Sequence, residues 1–393
     1  MRPRIVITGV GVVSALGLGQ AAQVKALMHG ISGIGKVRHL PTEHLEFPVG
    51  EVDLNHDELL DMLQIHDNQR YSRTSLLGMV ALHEALTQAR LLDREALAFV
   101  SGTTVGGMDV TERHFPEPFP SDMKDVHDCG ANTNSIADYF GCFNYTSTVS
   151  TACSSAMNAL ITAKWLIESG ERDIVVAGGS EALSLFHLNG FKSLLILDQE
   201  HCRPFDKTRA GLNLGEGAAY LVLEREEMAL ARHADILGVL SGVGNACDAY
   251  HQTASSENGE GGYRSMIKAL EDAGIERSRI DYVNAHGTAT PNNDMTESAA
   301  LKRVFGEKLP PVSSTKSYTG HTTSASGSIE AVFCLLALQN GFLPFQREFK
   351  NPDASCIIPV SGLQCPRVEL YHGMCNSFGF GGNDSTIILS RYE

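Results

Sequence analysis

The chain has 393 residues, 43% hydrophobic and 20% charged, enough apolar material for two domains or one large fold of two similar halves. That composition excludes a disordered chain and a coiled coil. Lys and Arg number 31 against 46 Asp and Glu, a net charge of −15 that repels polyanions and argues against a nucleic-acid partner.

Residues Arg4 to Thr8 form an apolar run, and Gly9-Val-Gly11 after it reads as a tight turn. The basic start with an apolar run behind it has the outline of a secretory leader. Glycines 9, 11, 17 and 19 would break the helix such a leader forms, so a strand is predicted. The spacing Gly9-x-Gly11-x-x-Ser14 ends in Ser, and no acidic residue precedes Glu43, so a dinucleotide site is not predicted.

Further along, Ser72 to Arg90, Ala156 to Ser169, Gly262 to Ala273, Thr296 to Phe305 and Ser328 to Asn340 carry helical patterns. Short strand-like runs separate them at Ala98 to Val100, Ile174 to Ala177, Ala219 to Leu223, Ile236 to Gly242, Tyr282 to Asn284 and Thr386 to Ser390. This alternation predicts α/β layers around a largely buried sheet. The charged stretch Glu224 to His233 followed by a new strand marks the expected boundary, giving halves 1–235 and 236–393. Ile5 to Gly11 and Leu240 to Gly244 both run an apolar strand into glycines, which hints at an internal duplication. The longest unbroken apolar run, Ala331 to Leu338, falls far short of the ~18 residues a bilayer span needs. Nine scattered cysteines, odd in number and without a CxxC pair, form neither a disulfide framework nor a zinc knuckle and fit a reducing cytoplasm.

Three segments carry candidate chemistry. In Ser150-Thr-Ala-Cys153-Ser-Ser, small hydroxyl residues precede a helical pattern closed by Gly170, which predicts Cys153 in the first turn of a capped helix. There the helix dipole would stabilise a nucleophilic thiolate; a small residue packed at a helix start is the plainer reading. His286 follows a strand in a Gly/Thr/Pro loop, and His321 follows Lys316 by five residues before a small-residue helix. One such histidine is usually structural, but two together with Cys153 suggest a thiol active site, and their spacing with Asp294 does not suit a metal. In Asn376 to Asp384, three glycines surround Phe380, more than an ordinary hairpin turn needs. They suggest backbone approaching a ligand with Phe380 as a movable cover, or simply a long loop.

These pieces resemble the β-ketoacyl-acyl-carrier-protein synthases, condensing enzymes of the thiolase superfamily, and 3-oxoacyl-acyl-carrier-protein synthase II in particular. The resemblance covers nearly the whole chain. It is carried by Val6 to Ser14, Thr151-Ala-Cys153-Ser-Ser, Ala177-Gly-Gly-Ser-Glu181, Arg203-Pro-Phe-Asp206, Leu214-Gly-Glu-Gly-Ala218, Ala285-His286-Gly-Thr-Ala-Thr-Pro291, Ser314-Thr-Lys316 with Gly320-His321, and Asn376 to Gly382. It implies a five-layered αβαβα sandwich of two duplicated halves. It also implies decarboxylative Claisen condensation of an acyl group on Cys153 with malonyl carried by an acyl-carrier protein.

By the same resemblance, His286 and His321 promote decarboxylation, Lys316 supports them, and Asp294 and Glu297 lie behind them. Phe380, with Gly379 and Gly381, supplies an oxyanion N–H and a gate, and Thr288, Thr290 and Met108 contact substrate. The usually acidic carrier would dock on Arg70, Arg73, Arg203, Lys207 and Arg209. No metal and no cofactor is implied, since substrates ride on the carrier's phosphopantetheine. The expected assembly is a cytoplasmic homodimer, or a heterodimer with a related ketosynthase or chain-length factor.

The chain departs from the elongation members of that family in reading Gly379-Phe-Gly-Gly-Asn383-Asp384 where they usually have Gly-Phe-Gly-Gly-Thr-Asn. Gly102 to Asp109 and Lys316 to Gly327 look more like ketosynthases of aryl-polyene, flexirubin or dialkylresorcinol pathways. The alternative is a non-catalytic partner akin to chain-length factors, which typically lack the nucleophile that this chain keeps.

Overall fold

The apolar runs become strands of a single mixed sheet, and the amphipathic stretches become helices layered on both sides of it. A computed structural model describes residues 2–66, 71–117, 126–362 and 365–393. The strands are β1 (Ile5–Ser14), β2 (Gly17–Leu18), β3 (Leu97–Gly102), β4 (Phe143–Val149), β5 (Ile174–Glu181), β6 (Gly217–Arg225), β7 (Gly238–Cys247), β8 (Tyr282–Asn284), β9 (Val312–Ser313), β10 (His372–Gly379) and β11 (Asn383–Ser390). The α-helices are α1 (Gly19–His29), α2 (His56–Met62), α3 (Arg73–Ala89), α4 (Met108–His114), α5 (Cys129–Phe140), α6 (Ser155–Glu168), α7 (Leu185–Ser193), α8 (Glu226–Ala231), α9 (Glu260–Ala273), α10 (Pro291–Phe305), α11 (Lys316–Thr319) and α12 (Ser326–Asn340).

The strand order is β4-β3-β5-β6-β1-β7-β11-β10-β8-β9, with β2 added beside β1. Leaving β2 aside, β1 to β6 run in the order third, second, fourth, fifth, first, and β7 to β11 repeat that order outward from the other side. Directions repeat too: β3 is parallel to β4 and β5 as β8 is to β9 and β10, while β6 and β11 run antiparallel to both neighbours. The two halves of the sheet join only through Val6↔Val239 and Ile7↔Gly238.

Between the half-sheets lie α6 and α12, in one apolar cluster that holds Ile7, Val10, Leu160, Ile161, Phe333, Leu336 and Ile387. Helix α12 is buried from Ser326 to Leu338, which explains why Ser328 to Leu338 shows no polar face. On the outside, α3 covers β1, β5 and β6, while α9 covers β7 and β11 and carries α10. The result is the five-layered αβαβα sandwich of two duplicated halves.

The paired glycines differ from expectation. Gly9 and Gly11 lie inside β1, and Gly242 and Gly244 inside β7; neither pair is a turn. A methyl at Gly11 would fall 1.8 Å from the Ala81 carbonyl oxygen of α3, and one at Gly244 would fall 2.1 Å from the Ser265 carbonyl oxygen of α9. The glycines let an outer helix lie against the backbone of the first strand of each half. A third close approach joins the central helices: a methyl at Gly327, the second residue of α12, would meet Cβ of Met157 in α6 at 2.7 Å.

Candidate active site

Cys153 sits where β4 ends and α6 begins. Ala152 takes left-handed backbone, φ 52°, and turns the chain sharply, so Cys153 stands one residue ahead of the N-cap Ser154 and not in the first helical turn. Ala156 behind it packs against Gly102 and Gly179, which seats the turn on β3 and β5. Ser377 donates a hydrogen bond to the Cys153 carbonyl at 2.9 Å. Burial pushes the thiol up to about 11, against the pull of the Lys316 ammonium and of the N–H groups of Phe380 and Cys153. The resting group is therefore a thiol, not the dipole-stabilised thiolate that its sequence position suggests.

The C-terminal half brings both histidines to this sulfur. His321 follows α11 and places Nε2 3.1 Å from Cys153 Sγ, with Nδ1 2.9 Å from Ser326 Oγ at the start of α12. His286 follows β8, its ring centroid 5.4 Å from that of His321 and nearly perpendicular to it. Lys316 Nζ lies 3.3 Å from His286 Nδ1 and 2.5 Å from Glu330 Oε1. A donor on Nδ1 leaves the proton on Nε2, the nitrogen free to donate. Burial, then the Lys316 charge, hold both imidazoles well below their ordinary value, so both are neutral at pH 7.

Asp294 and Glu297, on α10, hold the loop rather than the rings. Glu297 accepts from the His286 and Gly287 N–H groups at 2.9 and 2.8 Å and from Asn376 at 3.1 Å. Asp294 accepts from the N–H groups of Phe205 and Ala289 at 2.7 and 3.1 Å.

The glycine-rich segment is a hairpin after all. Gly379 pairs with Asn383, and Gly381 and Gly382 make the turn in left-handed backbone. The close approach at Gly379 is to the nucleophile turn: a methyl there would lie 2.8 Å from the Thr151 carbonyl oxygen. Asn383 Oδ1 accepts from Ser154, Asn158 and Asn245 at 2.7–2.9 Å and ties the hairpin to the start of α6. Phe380 stacks on Phe191, centroids 5.9 Å apart.

Cys153, His286, His321, Thr288, Thr290, Gly379, Phe380 and Gly381 line one cavity of about 300 Å³. Lys316 is buried behind it. Met108 does not reach this cavity; it opens α4 and is half-buried.

Three of the five residues expected to dock the carrier are ion-paired within their own chain. Arg73 is ion-paired with buried Glu216 at 2.5 Å, Arg209 with Asp353 at 2.6 Å, and Arg203 with Asp198 and Glu200 at 3.3 and 3.1 Å. Lys207 alone of these is exposed, and Arg70 lies outside the described residues. Sequence reading missed Glu330, although a lone acid in the apolar 328–338 stretch was the available signal. Nothing in the sequence marks Phe191 or Ser326. Among the described residues, no group of three or more His, Cys, Asp or Glu could hold a metal ion, and no helix is long and apolar enough to cross a membrane.

Residues 2–229 match the model of the β-ketoacyl synthase N-terminal domain, and residues 237–350 that of the C-terminal domain. The chain belongs to the β-ketoacyl synthase family. It is similar to 3-oxoacyl-[acyl-carrier-protein] synthase 2 of Staphylococcus aureus, 32% identical over 414 residues that cover 99% of each chain. Among solved structures it is similar to the ishigamide ketosynthase/chain length factor, with TM-score 0.93 and 32% identity, each chain covered in full. It also matches the AntDE:AntF complex, a type II PKS acyl-carrier protein with its ketosynthase bound to the hexaketide, with TM-score 0.88, 27% identity and full coverage of both chains. The chain is thus an acyltransferase of the β-ketoacyl synthase family with the thiolase-like fold.

Proposed function

We propose that the chain is a catalytic ketosynthase that extends a carrier-bound acyl chain by two carbons. The observation that carries this reading is the 3.1 Å contact between Cys153 Sγ and His321 Nε2, with neutral His286 beside it on the same cavity wall. In the first half-reaction, Cys153 attacks the thioester of an acyl group on the carrier's phosphopantetheine, and the carrier thiol leaves. His321 Nε2 takes the thiol proton and returns it to the departing sulfur of the carrier, which leaves as the thiol. The N–H groups of Cys153 and Phe380 face the sulfur and are suited to hold the oxyanion of the tetrahedral intermediate.

In the second half-reaction, malonyl on a carrier loses carbon dioxide. The enolate oxygen accepts hydrogen bonds from Nε2 of His286 and His321, and the carbanion attacks the Cys153 thioester and releases β-ketoacyl-carrier. Lys316 fixes the His286 tautomer that this requires, Glu330 balances the buried ammonium, and Asp294 and Glu297 hold the backbone that carries His286.

The same proposal places the enzyme in the cytoplasm, as a homodimer or paired with a related subunit, in fatty-acid or polyene/polyketide-type biosynthesis. The similarity to the ishigamide ketosynthase/chain length factor supports pairing with a related subunit, and that to the type II PKS ketosynthase complex supports the polyketide alternative. It also divides the chain at 235/236 into the half that carries the nucleophile and the half that carries the histidines. Neither cofactor nor metal takes part.

Intact-protein mass spectrometry after incubation with acyl-carriers of different chain length tests the reading. Wild type should gain one acyl mass, and Cys153→Ala should gain none while keeping its melting temperature. A wild-type chain that stays unmodified by every carrier would make it a non-catalytic partner.

A further inference from the structure

The cavity that leads to Cys153 is uncharged at its mouth. Its lining holds apolar, hydroxyl, amide, glycine and histidine residues, and no Asp, Glu, Lys or Arg. Leu194 lines it and is 44% exposed; Leu195, next in the chain, is 87% exposed. Both follow α7, whose Phe191 forms the inner wall beneath Phe380.

Leu195 is also strained. Its φ is 58°, in the left-handed region where the residue after a helix is usually Gly or Asn. A leucine there is disfavoured relative to ordinary backbone, because its Cβ crowds the neighbouring carbonyl oxygen. Its N–H closes the helix end on the Lys192 carbonyl at 2.9 Å, a bond that glycine would make as well. The side chain gains little from its own fold, since it stands almost wholly in solvent. A large apolar group kept both strained and exposed at a cavity mouth is the mark of a contact surface.

We infer that Leu194 and Leu195 form an apolar step on which the acyl-carrier protein seats an apolar side chain, beside the origin of its phosphopantetheine arm. The inference rests on the proposed function, which requires a carrier at this mouth, and it assigns the contact to the rim itself. An acidic carrier meets a protein of net charge −15. Arg73, Arg203 and Arg209 are held by carboxylates of their own chain, so of the expected docking cations that are described only Lys207 stands exposed. An uncharged rim adds no repulsion, and burying two leucines supplies association free energy that salt does not screen.

The experiment compares Cys153 acylation by an acyl-carrier with acylation by the same acyl group on a short pantetheine thioester, in wild type, Leu195→Asn and Leu195→Glu. Leu195→Asn relieves the backbone strain, so its melting temperature should match or exceed that of wild type, and a loss of function in it cannot come from misfolding. Both variants should lose about tenfold or more in kcat/KM with the carrier and remain within about twofold of wild type with the thioester. The wild-type carrier reaction should change little between low and moderate salt.

Unchanged carrier kinetics in both variants would overturn the inference, as would equal losses with both substrates. A change of molecular mass in Leu195→Asn by analytical ultracentrifugation would assign the step to a second protein copy instead. A strong loss in Arg70→Glu together with a steep salt dependence would restore the cationic surface and remove this one. If the thioester acylates wild type and the carrier result fails, only the docking step falls. If neither substrate acylates wild type, the proposed function falls with it.

Discussion

A thiol pushed up to about 11 keeps its proton until a base within reach takes it, and His321 is placed to take it. The enolate step makes a different demand, because negative charge then develops on oxygen and both imidazoles must donate. Either His286→Ala or His321→Ala should reduce malonyl decarboxylation by about 10²- to 10³-fold, the usual cost of one oxyanion donor; His286→Ala should leave acyl transfer to Cys153 near wild type, whereas His321→Ala should slow that step as well. Carbon dioxide release, followed separately from acyl transfer, measures this, and normal release in both variants would remove the histidines from the step.

A second residue-level prediction concerns Asp384, where the family's elongation members usually have Asn. Its carboxyl lies against Gly261 in the first turn of α9, and burial, then the charges of Asp248 and Glu297, push it up to about 8. Unfolded, it would titrate near about 4, so the folded state keeps a proton that the unfolded state releases. Stability from this group is full below about pH 4 and is lost as pH rises towards 8. Asp384→Asn should therefore abolish part of the fall in melting temperature between pH 6 and 9, read by thermal unfolding; an unchanged pH profile would contradict it.

At this scale Cys153, His286 and His321 were legible because small hydroxyl and glycine residues surround them. The ion pairs of two expected docking arginines were not legible because the partners are remote: Glu216 lies 143 positions from Arg73, and Asp353 lies 144 from Arg209.

Among the elements, the two glycine pairs and the hairpin turn answer different needs. Gly11 and Gly244 lack room, whereas Gly381, at φ 84°, has nothing within 4 Å of where a methyl would sit but needs left-handed backbone. Gly11→Ala and Gly244→Ala should each destabilise the fold by about 1–3 kcal/mol, the cost of overpacking. Gly381→Val should lower the chemical denaturation midpoint too, because a β-branched residue is disfavoured in left-handed backbone, and should in addition slow acyl transfer by stiffening the Phe380 hairpin, an effect not expected of Gly11→Ala or Gly244→Ala. Denaturation curves and acylation rates, measured side by side, separate the two cases.

The helices over 73–89, 155–168, 260–273 and 291–305 match stretches read as helical because each buries one side, whereas 326–340 is apolar and buried all round. Strand β4 escaped notice because Phe143–Val149 is polar in composition and only partly covered. The glycine pairs read as turns because their true reason is a helix that lies across them, and in β1 that helix comes some seventy residues later in the chain.

Across the whole molecule, the repeated strand order makes Cys153 and His321 counterparts: each lies between the third strand of its half and the helix of the central layer. The matching strand-glycine starts were the only trace of this in the sequence, because the repeats have diverged elsewhere. Arg4 also stacks on Tyr392, 4.9 Å from the ring centroid, so the outer ends of the two halves lie side by side. A circular permutant that joins those ends by a short linker and opens between Asp235 and Ile236 should fold and keep its acylation activity. Loss of both, in soluble protein, would argue that the 235/236 boundary does not separate the halves.

The contact between Gly327 and Met157 ties that symmetry to reaction rate. Proton transfer and nucleophilic attack are sensitive to tenths of an ångström, yet the two reacting groups hang from different repeats with no covalent link near them. One of the places where those repeats meet has a hydrogen atom on Gly327 where every other amino acid would place carbon, so the helices that follow sulfur and imidazole come together across an absent methyl group. A chain diverging from this one can vary its outer helices widely, but an added carbon at that crossing would act as a wedge between nucleophile and base.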